Sequence, residues 1–298
     1  MTLGGFVIHG ACQATLGACL DSVAAVADAC VAVGSEPGGR AAELARARGF
    51  RAVRQRWEGY GAARAAAVEL LGDCDYVFFL DSDEWLEPAA IAQLRAWKAS
   101  SPSAPHYALR RRDWAELGGG RRFRYRTESH VRLVRRDLAR WDPSMVVHEA
   151  LAGAPRVKLD IHVEHLFADD LDAMWDKVER YALLWAIRFH AERRAVKPAA
   201  VQWVVHLLRE TLLKGALFRG GLPAVQLARA VAHHHARKYT LLGEVRRGAH
   251  RELVRAFDEG RLDELFRLLA AREAIPLAAQ PLAGSPGIPP SRAARSGG

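Results

Sequence analysis

Three acidic residues follow directly on an apolar run in the segment YVFFLDSDEW, residues 76–85. At strand spacing, Asp81 and Asp83 lie on the same side of the chain. Two carboxylates held that close repel each other unless a cation lies between them or one of them is protonated. A hard divalent ion such as Mg²⁺ or Mn²⁺ takes one or two carboxylates and completes its coordination with water and substrate phosphates. The segment therefore predicts a metal site that stabilises a diphosphate, either as a cofactor group or as a leaving group.

The same acids admit a purely structural interpretation, in which they cap the helix predicted to begin near Pro88. A D-x-D pair alone is weak evidence, because Asp73 and Asp75 form another one eight residues earlier. The two pairs differ in context, since the earlier pair precedes the apolar run and Asp81 and Asp83 follow it. Open α/β sheets bind ligands at the carboxyl ends of their strands, so only the later pair lies where a ligand is expected.

Strand and helix patterns alternate before and around this segment and must position it. They occur in the order 5–10, 14–27, 29–35, 40–49, 50–55, 60–72 and 76–80, and a further helix begins near Pro88. The short apolar runs are typical of buried strands and the longer segments have helical spacing. This order predicts an α/β fold with a mostly parallel sheet covered by helices.

The chain changes character after residue 105. Residues 106–165 contain three runs with the alternation of antiparallel strands, and nearly all of 170–272 has helical spacing. The segment after about 275 holds five of the thirteen prolines together with Gly and Ser, which is typical of disorder. We therefore predict a catalytic domain at 1–168, a C-terminal helical region at 169–272 and a disordered tail at 273–298.

The charge and cysteine content narrow the class of protein. The 298 residues carry a net charge of +9 and a pI of about 9.8, which favours phosphorylated small molecules, anionic lipid surfaces or nucleic acid as partners. No nucleic-acid module signature is present in the sequence, so nucleic acid is not expected. The four cysteines match neither a zinc site nor a disulfide framework, which indicates reduced thiols in a cytoplasmic protein. Neither a signal peptide nor a membrane span is predicted.

Arginine is concentrated in the predicted strands, with ten arginines against three acids between 110 and 136. This pattern fits a solvated strand face. It also fits a surface for a phosphate-rich acceptor, such as a phosphorylated lipid-linked sugar, because Arg binds phosphate in a bidentate manner.

A second basic segment, VQWVVHLLRETLLKGALF at 201–218, has an apolar face with helical spacing and a cationic rim at Arg209 and Lys214. The apolar residues on that face are Val201, Val204, Val205, Leu208 and Leu212. The face either packs against the catalytic domain or lies shallowly in a membrane interface, as basic amphipathic helices do.

Eight motifs follow one another along the chain between about residues 14 and 242. They are CLDSVAAVAD (19–28), WEGYGAAR (57–64), FFLDSDEW (78–85), RLVRR (132–136), VVHEAL (146–151), EHLF (164–167), GALFRGGLPAV (215–225) and ARKYTLL (236–242). Taken in this order, they resemble the motifs of family 2 glycosyltransferases. The likeness is strongest to the branch that includes lipopolysaccharide core glucosyl- and heptosyltransferase-like enzymes.

This resemblance implies a GT-A fold with a C-terminal helical extension. The implied activity moves a sugar, with inversion, from a nucleotide-sugar donor to a lipid-linked, lipopolysaccharide or polysaccharide acceptor. Asp81 and Asp83 would hold Mn²⁺ or Mg²⁺ on the donor diphosphate, and His165 would approach the metal or the diphosphate. Arg64 would meet a donor phosphate. The implied location is cytoplasmic, with or without peripheral contact at the inner face of the cytoplasmic membrane.

The general base for the acceptor hydroxyl is expected in the VVHEAL motif. Inverting transfer needs one base opposite the leaving group, and a carboxylate or imidazole can serve. Glu149 is the first candidate and His148 the second.

The segments expected to hold the nucleotide depart from the family pattern. The family's first strand ends in an Asn-Glu-Glu-like segment, whereas this chain has HGACQA at 9–14. Its second strand ends in Asp-Ser-x-Ser-x-Asp, whereas VGSEPGG at 33–39 keeps Ser35 and offers Glu36 as the nearby acid. Either this enzyme holds its donor differently, or the chain is a degenerate GT-A-fold protein that acts as a binding or scaffold protein. A nucleotidyltransferase that uses the same acids is a third hypothesis.

Overall fold

Eight strands form a single sheet in the computed structural model, which describes residues 1–10, 14–35, 39–117, 122–142 and 156–273. The strands are β1 (Leu3–His9), β2 (Ala29–Gly34), β3 (Arg51–Arg54), β4 (Tyr76–Asp81), β5 (Glu84–Trp85), β6 (His106–Ala115), β7 (Phe123–Arg135) and β8 (Arg156–Ala168). The helices are α1 (Leu16–Ala24), α2 (Arg40–Arg46), α3 (Tyr60–Leu71), α4 (Pro88–Ala99), α5 (Leu171–Ala191), α6 (Ala199–Leu208), α7 (Ala216–Arg246), α8 (Arg251–Asp258) and α9 (Leu262–Glu273). A 3₁₀ turn spans Arg136–Leu138 and a π-helical turn spans Arg209–Leu213.

The sheet has a parallel half and a mixed half. Its strand order is β3-β2-β1-β4-β7-β6-β8-β5, and the first four strands are parallel, as predicted. β7 is antiparallel to both β4 and β6. β8 is antiparallel to β5 but parallel to β6, so the expectation of antiparallel strands is wrong for the β6–β8 pair. β7 lies between β6 and β8 in the chain and is antiparallel to β6, so it returns the chain to the end of the sheet where both β6 and β8 begin.

Apolar residues cover both faces of the parallel strands. All of β1 is buried, and so is β4 up to Leu80. Successive residues of these strands lie alternately in two cores, one on each face of the sheet. Helices α1, α2 and α4 pack on one face and α3 packs on the other. On the α3 face, Phe6 stacks on Phe79 with ring centroids 5.2 Å apart. Burial on both faces explains the uninterrupted apolar runs in the sequence.

The helical region begins where the sheet ends. β8 ends at Ala168, and the Asp170 side chain accepts a hydrogen bond of 2.8 Å from the Ala173 N–H at the start of α5. α7 bends at Gly221, whose φ of 59° favours glycine. The α/β class with C-terminal helices is therefore confirmed, whereas the division at residue 168 stays a prediction and residues 274–298 lie outside the described part. None of the helices in the described residues is long and apolar enough to cross a membrane.

Three of the four cysteines lie in described residues, and all three are free thiols. They are Cys19, Cys30 and Cys74. Burial raises the pKa of Cys30 to about 11, which disfavours the reactive thiolate. Cys12 lies outside the described residues.

Candidate active site

The carboxyl end of β4 carries the acidic turn. The Asp81 N–H donates to Glu84 Oε2 at 3.2 Å, which closes the turn on itself. The hydroxyl of Thr15 donates to the Ser82 carbonyl at 3.0 Å, which fixes the turn to the start of α1. The side chains of Asp81 and Asp83 are 30% and 28% exposed, whereas Glu84 is fully buried. The turn therefore presents two carboxylates at the sheet edge and keeps the third inside.

His165 lies beside Asp83 because β5 pairs with β8, with Glu84 opposite His165. His165 Nε2 is 3.4 Å from Asp83 Oδ2, and His165 Nδ1 is 2.7 Å from Asp113 Oδ1. An imidazole held at one nitrogen by a carboxylate, with its other nitrogen directed to a ligand position, is the usual arrangement of metal-binding histidines. Asp83 and His165 thus offer an oxygen and a nitrogen to the same point.

The ionisation of this pair follows from its partners. Burial alone would lower the pKa of His165, but its hydrogen bonds with Asp113 and Asp83 outweigh burial, so the net pKa lies above its ordinary value. Burial alone would raise the pKa of Asp83, yet the bond with His165 makes the net shift downward. Both shifts favour the charged form of the side chain, and a bound metal would take the place of the imidazole proton.

Asp81 is already paired with two arginines. Arg64 Nη2 donates to its Oδ1 at 2.7 Å, and Arg132 Nη2 donates to its Oδ2 at 2.9 Å. Burial alone would raise the pKa of Asp81, but the charges of Arg132 and Arg64 outweigh it and hold the pKa well below its usual range. Asp81 therefore stays ionised, and the structure brings Arg64 to this carboxylate.

A buried ion network connects the two halves of the site. Arg132 also donates to Glu84, and Arg111 lies 3.4 Å from the same carboxylate. Arg111 Nε is 2.8 Å from Asp113 Oδ1, so the network reaches the partner of His165. Glu84 and Asp113 have no exposed side-chain surface, and buried charges of this kind persist only when they are paired.

Sequence reasoning missed Asp113 and the inward-facing arginines. Arg111, Arg126 and Arg132 lie in the Arg-rich strands, with side chains only 14%, 14% and 6% exposed. By contrast, the side chain of Arg110 is 54% exposed. Neither a solvated face nor an acceptor surface describes the three buried arginines. Strand alternation was the available signal, because it separates inward from outward positions.

The fit of a divalent cation can be judged from these ligands. Within the described residues, no group of three or more His, Cys, Asp and Glu side chains could hold a metal by itself. Asp83 and His165 supply two ligands, and Mg²⁺ or Mn²⁺ sites with few protein ligands complete their shell with water and substrate phosphates. The pair fits a cation that binds together with a diphosphate, and it does not fit an all-protein metal cage.

The predicted nucleotide and base residues are placed only in part. Ser35 directly follows β2, two strands from β4, and its N–H donates to the His9 carbonyl at 3.4 Å. Glu36, His148 and Glu149 lie outside the described residues. The structure therefore brings together Arg64, Asp81, Asp83 and His165, and their roles stay predictions.

Comparisons with known proteins gave only partial structural likeness. No family model matches the chain, and no curated protein matches it. A solved mycobacterial protein aligns at 16% identity and a TM-score of 0.33, over 56% of this chain and 66% of that one. Glucosyl-3-phosphoglycerate synthase from Mycobacterium tuberculosis, in complex with Mg²⁺ and UDP, aligns at 20% identity and a TM-score of 0.31, over 40% and 45%. The same synthase with phosphoglyceric acid aligns at 18% identity and a TM-score of 0.33, over 46% and 57%. The chain thus spans less than two thirds of each of these proteins.

Proposed function

We propose that this chain is a metal-assisted, inverting glycosyltransferase of the GT-A type that uses a nucleotide-sugar donor. The observation that carries the proposal is the approach of Asp83 Oδ2 and His165 Nε2 to 3.4 Å at the carboxyl end of β4. Open α/β sheets bind their ligands at this edge. One of the synthase structures described above contains Mg²⁺ and UDP, and the ligands proposed here are of the same classes.

Asp83 and His165 would hold Mn²⁺ or Mg²⁺, and the cation would neutralise charge that develops on the leaving diphosphate. Asp113 orients the imidazole, because it accepts at Nδ1 and leaves Nε2 directed to the ligand position. Arg64 and Arg132 place two positive charges beside the same edge, where fixed charges attract the donor phosphates and stabilise the leaving group. Asp81, which the sequence resemblance gives as a further ligand of the metal, would also hold these two guanidinium groups in place.

The remaining roles follow the sequence resemblance. Glu149 would take the proton of the acceptor hydroxyl, with His148 as the second choice. Ser35 and Glu36 would contact the nucleotide. The acceptor would be a phosphorylated glycan or a lipid-linked sugar of envelope or lipopolysaccharide assembly, met at the inner face of the cytoplasmic membrane. In this scheme residues 1–168 form the catalytic domain and residues 169–272 support it.

Calorimetry with a panel of UDP- and GDP-sugars, with and without Mn²⁺, tests the donor and metal assignment. We expect Mn²⁺-dependent heat with at least one donor. Asp83→Asn should remove the Mn²⁺ dependence, whereas Asp73→Asn, in the other D-x-D pair, should behave as wild type. Mn²⁺-dependent binding that survives in Asp83→Asn would reject the metal assignment.

The base assignment is tested separately by transfer kinetics. Glu149→Gln should abolish sugar transfer and leave donor binding measurable, because the base acts on the acceptor. An unchanged kcat in this variant would reject Glu149. Release of pyrophosphate from a nucleoside triphosphate would instead indicate a nucleotidyltransferase.

A binding or scaffold protein is the second candidate, and one observation favours it. Both carboxylate oxygens of Asp81 already accept hydrogen bonds from arginines, so its charge is neutralised without a metal. The altered segments at 9–14 and 33–39 point in the same direction. The absence of heat with every donor in the calorimetric panel would favour this candidate.

A further inference from the structure

The segment 199–222 exposes the apolar side of a helix instead of burying it. It comprises α6, the π-helical turn and the first turns of α7. Five apolar residues at helical spacing are each between 48% and 53% exposed, namely Val201, Val204, Val205, Leu208 and Leu212. The interpretation that this face packs against the catalytic domain is therefore wrong. Glu210 and Thr211, on the opposite side, are the residues that face inward, with 1% and 8% of their surface exposed.

The exposed surface continues beyond this helix face. Leu213, Phe218 and Leu222 are 86%, 78% and 70% exposed. Within the described residues, twelve large apolar side chains are exposed, and nine of them lie between 201 and 222. Single exposed apolar side chains are ordinary, but a contiguous apolar surface marks an interaction site.

The same surface has a strongly positive rim. Residues 193–222 contain six basic residues: Arg193, Arg194, Lys197, Arg209, Lys214 and Arg219. Two of them are paired with acids, Arg194 with Glu192 and Lys214 with Glu128 and Glu210. Glu210, the one acid in that range, has a buried side chain. The partner must therefore cover apolar surface and also carry negative charge.

An anionic membrane satisfies both requirements, whereas a second copy of the chain does not. In a two-fold dimer the same patch faces itself, so Arg193, Lys197, Arg209 and Arg219 would meet their own copies. A bilayer interface accepts apolar side chains at the acyl boundary and offers phosphates to Lys and Arg around them. We propose that residues 199–222 form a membrane-docking surface that inserts shallowly into an anionic lipid interface.

The docking surface is fixed to the strand that supports the candidate active site. Lys214 Nζ donates to Glu128 Oε1 on β7 at 2.7 Å. Glu210 Oε2 lies 3.9 Å from Arg126 Nη1, and Arg126 donates to Asp113, the carboxylate that holds His165. If the proposed function holds, docking would bring the acceptor side of the site to a lipid-linked substrate.

Vesicle co-sedimentation of the full chain tests the docking surface. Vesicles of phosphatidylcholine alone are compared with an equimolar mixture of phosphatidylcholine and phosphatidylglycerol at low ionic strength. We expect the chain to bind the anionic vesicles, with binding weakened by salt. The double variant Leu213→Gln/Phe218→Ser should lower the partition coefficient by about tenfold or more, because two inserting side chains are removed. Val157→Ser, at an exposed valine of β8, is the matched control and should bind as wild type.

Three results would overturn the docking proposal. They are the absence of binding to anionic vesicles, unchanged binding by the double variant, and a lipid-free dimer in analytical ultracentrifugation that the double variant dissociates. The last result would assign the surface to a second copy. Both mutated side chains are exposed, so the thermal melting curve should be unchanged. Donor calorimetry on the same variant separates failure of docking from failure of the proposed transferase activity.

Discussion

The two ends of β4 carry the same D-x-D spacing in different environments. Asp75, before the strand, accepts a hydrogen bond of 2.6 Å from the Thr2 N–H and lies at the surface. Asp81, the last residue of the strand, lies between two arginines, and Asp83 contacts His165, whose imidazole is held by the buried carboxylate of Asp113. The difference shows that the position of a carboxylate pair relative to a parallel strand decides its surroundings, and the spacing alone does not.

Replacing a buried arginine at the carboxyl end of β4 should have the largest effect on stability. Arg132→Met leaves Asp81 with one arginine and leaves Glu84, which has no exposed surface, without its nearest one. Removal of one partner from a buried ion pair costs about 3–5 kcal/mol. Urea denaturation should show a loss of this size. Arg135→Met, on the same strand but paired with an exposed Asp137, should lose far less. Equal losses of stability in the two variants would contradict the claim that the buried network contributes more to stability than a surface ion pair.

The second-largest effect is expected from loss of the hydrogen bond by which Asp113 orients His165. Asp113→Asn keeps the shape of the side chain but removes the charge that orients the imidazole. Loss of such a supporting group usually lowers metal affinity by about 10–100-fold. Titration of Mn²⁺ in the presence of the donor nucleotide measures this loss. Glu164→Gln is the control. Glu164 lies on β8 and is buried, as Asp113 is, but its carboxylate accepts from Arg112 and Trp114. Equal affinities for Mn²⁺ in Asp113→Asn and wild type would show that Asp113 does not act through His165.

A smaller effect is expected on stability at acid pH, and it should differ between the carboxylates at the two ends of β4. The pKa of Asp81 is depressed in the folded state, so Asp81 contributes stability that is fully present above its unfolded value of about 3.8. That contribution is lost as the pH falls through the folded pKa. The pKa of Asp75 is also lowered, by its hydrogen bonds with Thr2, but this group is exposed to solvent.

Melting temperatures measured between neutral pH and the acid limit, at low and high salt, distinguish the two carboxylates. The acid dependence due to Asp81 should persist in high salt, because its two arginine partners are buried and such pairs are screened little, and Asp81→Asn should flatten it. Asp75→Asn should change the acid limb only slightly. An acid limb that Asp81→Asn leaves intact would contradict the buried network.

The parallel half of the sheet and the position of the acids could be predicted from the sequence, because buried strands and amphipathic helices are local patterns. The partners of those acids could not be predicted. Arg132 and Asp113 reach the site through the register of β6, β7 and β8, which pair residues far apart in the sequence. The parallel pairing of β8 with β6 likewise joins residues far apart in the sequence, so local patterns do not show it.

The helical pattern at 199–212 gives a second example of this limit. Periodicity identifies the apolar face of a helix, but it does not identify what covers that face. In the structure the opposite side packs inward through Glu210 and Thr211, and the apolar face is exposed.

The central claim is that Asp83 and His165 hold one divalent ion with a nucleotide diphosphate. Pulsed electron paramagnetic resonance of Mn²⁺ bound to the chain with UDP tests it most directly, because a coordinated imidazole nitrogen modulates the Mn²⁺ signal. We predict a nitrogen modulation that is present in wild type and in Asp73→Asn and is lost in His165→Gln. Bound Mn²⁺ without this modulation in wild type, or with the same modulation in His165→Gln, would contradict the claim.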